Sequence, residues 1–77
     1  MVLSQLKPSQ TGVVQGYEGE NDLYERLMEL GIVPGTEILV KRYAPFGDPM
    51  EVIVRGYRIS IRKKDAQQIL VALKERA

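Results

Sequence analysis

The chain of 77 residues carries a formal net charge of +1 at pH 7 and contains neither cysteine nor histidine. Without these residues it can form no disulfide, and it lacks the usual zinc, copper and haem ligands. The small net charge provides no overall attraction to nucleic acid or membrane, although a local cluster of charge still could. The longest apolar run, residues 69–73, is far shorter than the roughly 20 residues that a membrane span needs. We therefore expect one soluble, cytoplasmic domain over residues 1–77, without a signal peptide.

The first predicted elements are a strand over residues 11–17 and, after a loop over residues 16–21, a helix. Valine in the strand and glycine in the loop indicate this division. Asp22 is predicted to cap the helix, and Glu25, three residues later, would complete a capping box. The apolar face of the helix, which we expect to be buried, carries Leu23, Leu27 and Leu30.

The end of this helix is predicted at Gly31, because a residue just past a helix often adopts a left-handed conformation. That conformation costs a residue with a side chain about 1–2 kcal/mol. Ile32 then falls where a Schellman cap folds an apolar residue back onto the last turn, here Leu27. Residues 33–36 fit a type II turn, in which Pro34 fixes φ at the second position and Gly35 supplies a positive φ at the third.

The second half of the chain predicts four more strands, over residues 36–43, 52–54, 59–61 and 69–73. Two prolines and a glycine predict a loop over residues 44–49. Residues 55–57 are predicted to form a tight hairpin in which Gly56 is the permissive residue. A short polar helical turn over residues 63–68 precedes the last strand, and residues 74–77 are predicted to be a frayed tail. Five short strands with one inserted helix predict a mainly β fold, a small barrel.

Glycine and proline landmarks recur in a distinctive order along this chain. They are Leu30-Gly31-x-x-Pro34-Gly35, Pro45-x-Gly47-Asp48-Pro49, Val54-Arg55-Gly56-Tyr57-Arg58-Ile59, Ile61-Arg62-Lys63 and Ala66-x-x-Ile69-x-Val71. With these landmarks the chain resembles, from about Leu3 to Val71, the ferrous iron transport protein A (FeoA) family. The resemblance implies an SH3-like β-barrel of about five strands, with one inserted α-helix and a short helical turn before the last strand.

The resemblance also implies a biological setting. Members of the FeoA family are cytosolic accessories of a ferrous iron uptake system whose membrane transporter carries a GTPase domain. A related domain forms the tail of some metal-dependent transcriptional repressors. Since this chain begins at Met1 and shows no winged-helix portion, we expect the stand-alone form.

Catalysis finds little support among the residues. Ser4, Ser9 and Ser60 have no histidine to activate them, and the chain carries no glycine-lysine nucleotide loop. We therefore predict that the protein is not an enzyme.

A metal site is a separate question. Glu25 and Glu29 lie one helical turn apart and could share a hard cation, or they could simply form a solvated helix face. The resemblance implies an association with a divalent transition metal, iron, without identifying its ligands. No cofactor follows from the residues alone.

The basic residues of the second half suggest a binding surface. They are interleaved with Tyr43 and Tyr57, and they comprise Lys41, Arg42, Arg55, Arg58, Arg62, Lys63 and Lys64. Small barrels with this pattern can bind RNA, whereas SH3-like grooves use aromatic residues beside a loop to take extended peptide segments. We favour the protein partner. The predicted partner-binding residues are Tyr43, Phe46, Asp48, Tyr57 and Arg58.

The function that we predict is a cytosolic, non-enzymatic adaptor of ferrous iron uptake that contacts the GTPase region of the membrane transporter. The alternatives are a small nucleic-acid-binding barrel and a metal-responsive regulatory domain. We expect no nucleic-acid partner, and we do not expect the chain itself to be embedded in the membrane. The sequence leaves open whether the contact activates GTP hydrolysis, assembles the transporter or senses iron.

Overall fold

The computed structural model of the chain describes residues 1–19 and 21–75. A 3₁₀ helix over Leu3–Gln5 precedes seven further elements. These are β1 (Thr11–Tyr17), α1 (Asn21–Glu29), β2 (Glu37–Tyr43), β3 (Met50–Val54), β4 (Tyr57–Ile61), α2 (Lys63–Ala66) and β5 (Ile69–Lys74). The predicted mainly β fold with five strands, an inserted helix and a short helical turn before the last strand is confirmed. The parts of the predicted loop and tail at Glu20, Arg76 and Ala77 lie outside the described residues.

The five strands form one antiparallel sheet in the order β4-β3-β2-β1-β5. Their inward-facing side chains meet those of both helices and of the N-terminal segment in a single core, so the sheet is curled around that core. The core consists of Leu3, Leu6, Val14, Leu23, Leu27, Ile32, Ile38, Val40, Met50, Val52, Val54, Ile61, Ala66, Ile69 and Val71. Over the described residues, no helix is both long enough and apolar enough to cross a membrane.

The β3–β4 hairpin is longer than predicted, since each strand begins two residues earlier than its predicted start. Its loop consists of Arg55 and Gly56 alone, with φ values of 53° and 84°. Two consecutive positive φ values define a type I′ turn, whose twist matches that of the flanking strands. Val54 therefore pairs directly with Tyr57, and the ladder begins at the turn itself.

The C-terminal elements also differ from their predicted bounds. The helical turn α2 ends at Ala66, and strand β5 continues to Lys74. Lys74 is therefore not part of a frayed tail. It pairs with Thr11 of β1, and its Nζ lies 2.9 Å from Oε1 of Glu37.

The start of α1 departs from its prediction. Asp22 lies within the first turn of the helix rather than at its cap, so the capping box with Glu25 is wrong. Its negative charge is still favourable there, because the N-terminus of a helix carries a partial positive charge. On the apolar face Leu23 and Leu27 are buried, but Leu30 is 51% exposed. Leu30 follows the last residue of α1, Glu29, and its side chain is exposed at the helix end.

The end of α1 is the predicted Schellman cap. The N–H of Gly31 donates to the carbonyl of Met28 at 2.9 Å, and the N–H of Ile32 donates to that of Leu27 at 2.8 Å. This pair of hydrogen bonds defines the motif, and Gly31 has the expected positive φ of 80°.

The predicted turn after the cap is also present. The N–H of Thr36 donates to the carbonyl of Val33 at 2.9 Å, and Gly35 has a φ of 93°. The hydroxyl of Thr36 in turn donates to the carbonyl of Gly31 at 3.2 Å, which ties the helix end to the start of β2.

The N-terminal segment, residues 1–6, is an element for which the sequence pattern gave no assignment. Leu3 and Leu6 are buried in the core, and Val2 forms an isolated antiparallel bridge with Leu70 of β5. The N–H of Val71 donates to the carbonyl of Met1 at 2.8 Å. The segment therefore covers the outer edge of β5.

Candidate functional site

Strand β4 stands at the opposite edge of the sheet. Within the described part of the chain it pairs with β3 and with no other strand. The register places Tyr57 opposite Val54 on the inward side, and Arg58 opposite Ile53 on the outward side. Tyr57 lies at the end of the strand, where 74% of its surface is exposed. The predicted binding residues Tyr57 and Arg58 thus occupy the first two positions of an edge strand.

A shallow groove of about 520 Å³ lies between β4 and the C-terminal end of α1. We call it the α1–β4 groove. It is lined by Glu29, Leu30, Gly31, Val54, Arg55, Tyr57, Arg58 and Ile59. Much of its wall is apolar, because Leu30 and Tyr57 expose large side chains there. The exposure of Leu30, which contradicts its expected burial, therefore contributes to the groove.

Arg55 links the hairpin to the helix end. A Cβ atom placed on Gly31 would lie 3.4 Å from Nη1 of Arg55, so the guanidinium lies against this glycine. The last carbonyl groups of a helix carry a partial negative charge, which a neighbouring cation stabilises. This contact places the hairpin beside the end of α1, where Arg55 lines the α1–β4 groove.

The loop between β2 and β3 carries the most exposed aromatic side chain. Phe46 is 98% exposed at its tip. The N–H of Gly47 donates to the carbonyl of Ala44 at 2.7 Å, and the N–H of Ala44 donates to that of Pro49 at 3.0 Å. Hydrogen bonds across the loop thus fix the backbone that presents Phe46.

Asp48 anchors the same loop to α2. Its Oδ1 accepts a hydrogen bond from the N–H of Lys63 at 2.9 Å. Lys63 lies just after β4, separated from its last residue, Ile61, by one residue. Ile61 also pairs with Met50, the residue that follows the loop. Both contacts place the loop beside the C-terminal end of β4. A strand of five residues is roughly 16 Å long. Phe46 and Asp48 therefore lie near one end of β4, and Tyr57 and Arg58 lie at the other.

Tyr43 is half-buried, and its hydroxyl faces the N-terminal segment. Its hydroxyl donates to the backbone carbonyls of Ser4, at 3.2 Å, and of Leu6. Its ring packs against the core, and this burial raises the pKa of the phenol above its ordinary value. Tyr43 thus helps to hold the N-terminal segment in place, and its assignment to partner binding stays a prediction.

A β-bulge explains the placement of Tyr43. Val40 faces inward opposite Val52, and simple alternation would turn Tyr43 outward. The register of β2 against β3 shifts between Val40 and Arg42, so that Tyr43 pairs with Met50 on the inward side. One extra residue in a strand reverses the faces of all later side chains.

The candidate metal ligands Glu25 and Glu29 are both exposed on α1. Across residues 1–19 and 21–75, no group of three or more histidine, cysteine, aspartate or glutamate side chains is arranged to hold a metal ion. The assignment of these two glutamates to a metal stays a prediction.

Only part of the positive charge in the described residues is paired: three cations form ion pairs, whereas Lys7, Lys41, Lys63 and Lys64 form none. Arg42 pairs with Glu51, and Arg26 lies 3.5 Å from Oδ2 of Asp65. In the described part of the chain, by contrast, no ion pair involves the three arginines along β4 and at its ends. These are Arg55, Arg58 and Arg62. Of these three, only Arg58 was among the predicted partner-binding residues, because the sequence does not show which cations lie along one strand edge.

Comparison with known proteins identifies the family. The sequence model of the FeoA domain matches residues 1–73. The chain belongs to the FeoA family. The Fe(2+) transport protein A/Fe(2+) transporter FeoB fusion protein of Porphyromonas gingivalis is 36% identical over 73 residues. That match covers 95% of this chain and 9% of the fusion protein, so the chain spans less than a tenth of that relative's length.

Solved structures of FeoA proteins have the same fold. The FeoA-like protein of Clostridium acetobutylicum is 35% identical, with a TM-score of 0.90 over 100% of this chain and 90% of that one. The FeoA of Stenotrophomonas maltophilia, solved in complex with zinc and described as a prokaryotic SH3 domain protein, is 33% identical. Its TM-score is 0.80, over 94% of this chain and 89% of that one. The predicted SH3-like fold and the resemblance to the FeoA family are both confirmed.

Proposed function

We propose that this FeoA-family chain is a cytosolic, non-enzymatic accessory of ferrous iron uptake, and that it acts by contacting the GTPase-bearing region of a FeoB-type transporter. The observation that carries the proposal is the relative from Porphyromonas gingivalis, in which a FeoA part and a FeoB transporter form one protein. Fusion holds two parts at a high effective concentration, which favours a contact that is only moderately strong between separate chains.

The surface that we assign to this contact is centred on Phe46. An aromatic side chain that is 98% exposed gains a large apolar burial when a partner covers it. The hydrogen bonds of its loop already fix the backbone, so little conformational entropy remains to be lost on binding. Aromatic anchors of this kind commonly contribute about 2 kcal/mol or more to an interface.

Asp48, Tyr57 and Arg58 complete the proposed surface. Asp48 positions the Phe46 loop through its hydrogen bond to Lys63. Tyr57 supplies a second exposed aromatic ring at the far end of β4, and Arg58 supplies a cation beside it. Tyr43 is left out of the surface, because it holds the N-terminal segment in place and packs against the core.

The test measures thermal stability and transporter affinity on the same variants. Purified chain is titrated against the FeoB transporter of the same organism in lipid nanodiscs. We expect Phe46→Ala to weaken association at least tenfold, about 1.4 kcal/mol, and to leave the melting temperature close to that of the wild type. The control is Leu73→Ala, which truncates a 41% exposed apolar residue on β5 and should leave the affinity unchanged while lowering the melting temperature only slightly.

Other outcomes are equally informative. A stable Phe46→Ala variant with unchanged affinity would move the contact surface elsewhere. A wild-type chain that shows no affinity for the transporter would refute the proposal itself. Tight binding to an RNA or DNA oligonucleotide, falling steeply with salt, would favour the nucleic-acid alternative instead.

A further inference from the structure

The two edges of the sheet differ in their hydrogen bonding. The outer edge of β5 is covered by residues 1–6. No backbone hydrogen bond within the described residues joins β4 to anything except β3. An uncovered edge presents free N–H and C=O groups to which an extended segment of another chain can add as a further strand.

The hairpin register identifies those free groups. The pair that flanks a two-residue type I′ turn is hydrogen-bonded, and the pairs of an antiparallel ladder then alternate between bonded and non-bonded. Val54 and Tyr57 are the flanking pair. The backbone groups of Arg58 and Ser60, one and three residues further along β4, therefore point away from β3. These two residues offer two donors and two acceptors at the outer edge.

The α1–β4 groove lies directly beside this edge. A strand added along β4 would turn alternate side chains toward the interior side of the sheet. On that side the groove offers the apolar surfaces of Leu30, Tyr57 and Ile59. The backbone edge and the apolar groove together match the two requirements of strand addition, namely main-chain hydrogen bonds for affinity and pockets for alternate side chains.

The positive charges near β4 favour an acidic segment as the added strand. Arg58 lies on β4, while Arg55 precedes it and Arg62 follows it, and none of the three takes part in an ion pair in the described part of the chain. Among the described residues, Glu29 is the only acidic one that lines the groove. An added segment with carboxylates would therefore meet cations that have no ion-pair partner in residues 1–19 and 21–75. A second copy of this chain, paired through its own β4, would place arginines against arginines instead.

We propose that β4 receives an extended, acidic segment of the transporter as an added β-strand. The segment's apolar side chains enter the α1–β4 groove, and its carboxylates lie near Arg55, Arg58 and Arg62. This inference rests on the proposed function and adds to it the conformation and the charge of the partner segment. A segment of about five residues along β4 also spans the roughly 16 Å between Tyr57 and the Phe46 loop.

The decisive pair of variants is Ser60→Pro and Ser60→Ala. Proline removes the outward N–H but leaves the β3–β4 ladder intact, and edge strands tolerate it for that reason. Alanine removes the hydroxyl and keeps the N–H. Binding is measured against 12-residue peptides that tile the cytosolic part of the FeoB transporter of the same organism, and against the whole transporter in nanodiscs. We expect Ser60→Pro to weaken binding to the peptide and to the whole transporter at least tenfold. Ser60→Ala should change neither affinity by more than about twofold.

Amide hydrogen exchange on the unmodified chain provides a second measurement, which does not depend on the folding of the proline variant. The peptide that binds should slow exchange at Arg58 and Ser60 more than at Tyr57 and Ile59, whose N–H groups already bond to β3. Changing the acidic residues of that peptide to their amides should weaken its binding several-fold.

Three results would overturn the inference. They are unaltered binding by a folded Ser60→Pro variant, unaltered exchange at Arg58 and Ser60 in the complex, and a dimer of this chain that forms through β4. None of them bears on the Phe46→Ala experiment. A transporter that binds the Ser60→Pro variant normally but fails to bind the Phe46→Ala variant would refute strand addition and leave the proposed function standing.

Discussion

The β5 edge and the β4 edge of the same sheet have opposite surroundings. At the β5 edge the chain supplies its own cover, residues 1–6, and Tyr43 holds this cover through hydrogen bonds to Ser4 and Leu6. At the β4 edge the described residues supply none, and the exposed Phe46 and Tyr57 lie near its two ends. One edge is closed by intramolecular contacts that stabilise the fold, and the other is available for a partner.

An uncovered edge is a risk for a small β protein, because it can pair with copies of itself. The shortness of β4, at five residues, and the arginine in it are two features that reduce this risk. The same features permit pairing with a segment of opposite charge. Mutations at the β5 edge should therefore lower the stability of the fold, whereas mutations at the β4 edge should lower the affinity for the partner.

The largest expected effect is on the covered edge. Leu3 is fully buried, and Leu3→Ala removes its packing and leaves a cavity, which should lower the free energy of unfolding by about 2–5 kcal/mol. Urea denaturation followed by circular dichroism measures this change. The exposed Leu73 serves as the control, since Leu73→Ala should cost well under 1 kcal/mol. Similar midpoints for the two variants would mean that the N-terminal segment does not hold the β5 edge.

The second prediction concerns the helix end that forms one wall of the α1–β4 groove. Gly31 has a φ of 80°, a conformation that valine adopts only with strain, and a Cβ there would lie 3.4 Å from Nη1 of Arg55. Gly31→Val should therefore destabilise the protein by about 1–3 kcal/mol and displace Arg55 from the helix end. Gln67→Ala, at an exposed position, should be nearly neutral. Equal thermal denaturation midpoints for the two variants would contradict this account of the cap.

Much of the fold could be predicted from local sequence signals. The strand β1 was predicted with its observed bounds, because valine with flanking glycine and polar residues is a local pattern. The Schellman cap at Gly31 and the turn at Gly35 were also predicted, since each depends on a positive φ that few residues other than glycine adopt readily. Signals of this kind extend over four to six residues and need no knowledge of the tertiary structure.

The differences from prediction arise where distant parts of the chain meet. The cover of the β5 edge joins Val2 to Leu70, and nothing within either segment indicates the other. The face of Tyr43 could not be predicted, because a bulge after Val40 changes the face on which it lies, and a bulge has no reliable sequence signature. For the candidate site, the exposure of Phe46 agreed with its position between Pro45 and Gly47. The contribution of Leu30 to the groove, and the lack of an ion pair at Arg62 among the described residues, could be found only in the structure.

A smaller effect should distinguish Tyr43, to which we assign a role in stability, from Phe46, to which we assign a role in binding. Tyr43→Phe keeps the ring in the core but removes the hydroxyl that donates to the carbonyls of Ser4 and Leu6. The loss of such hydrogen bonds should lower the free energy of unfolding by about 0.5–1.5 kcal/mol, without a change in affinity for the transporter. Phe46→Ala should show the reverse pattern. If Tyr43→Phe weakened transporter binding in a protein of unchanged stability, Tyr43 would belong to the contact surface after all.

The smallest predicted effect appears only at alkaline pH. Burial raises the pKa of Tyr43 above its ordinary value of 10.0, and burial followed by the proximity of Tyr24 does the same for Tyr17. Above pH 10 the unfolded chain loses these protons first, so it binds fewer protons than the folded chain. Stability should therefore fall as the pH rises through this range. The measurement is urea denaturation of the wild type and of the double variant Tyr17→Phe/Tyr43→Phe between pH 9 and about 11. The variant starts from a lower free energy of unfolding, because its hydroxyl hydrogen bonds are absent. As the pH rises, it should lose less of that free energy than the wild type. Lysine deprotonation contributes to both curves alike, so the difference between them isolates the two phenols. Parallel curves would show that burial does not shift the pKa of either phenol, and would contradict this account of the alkaline loss of stability.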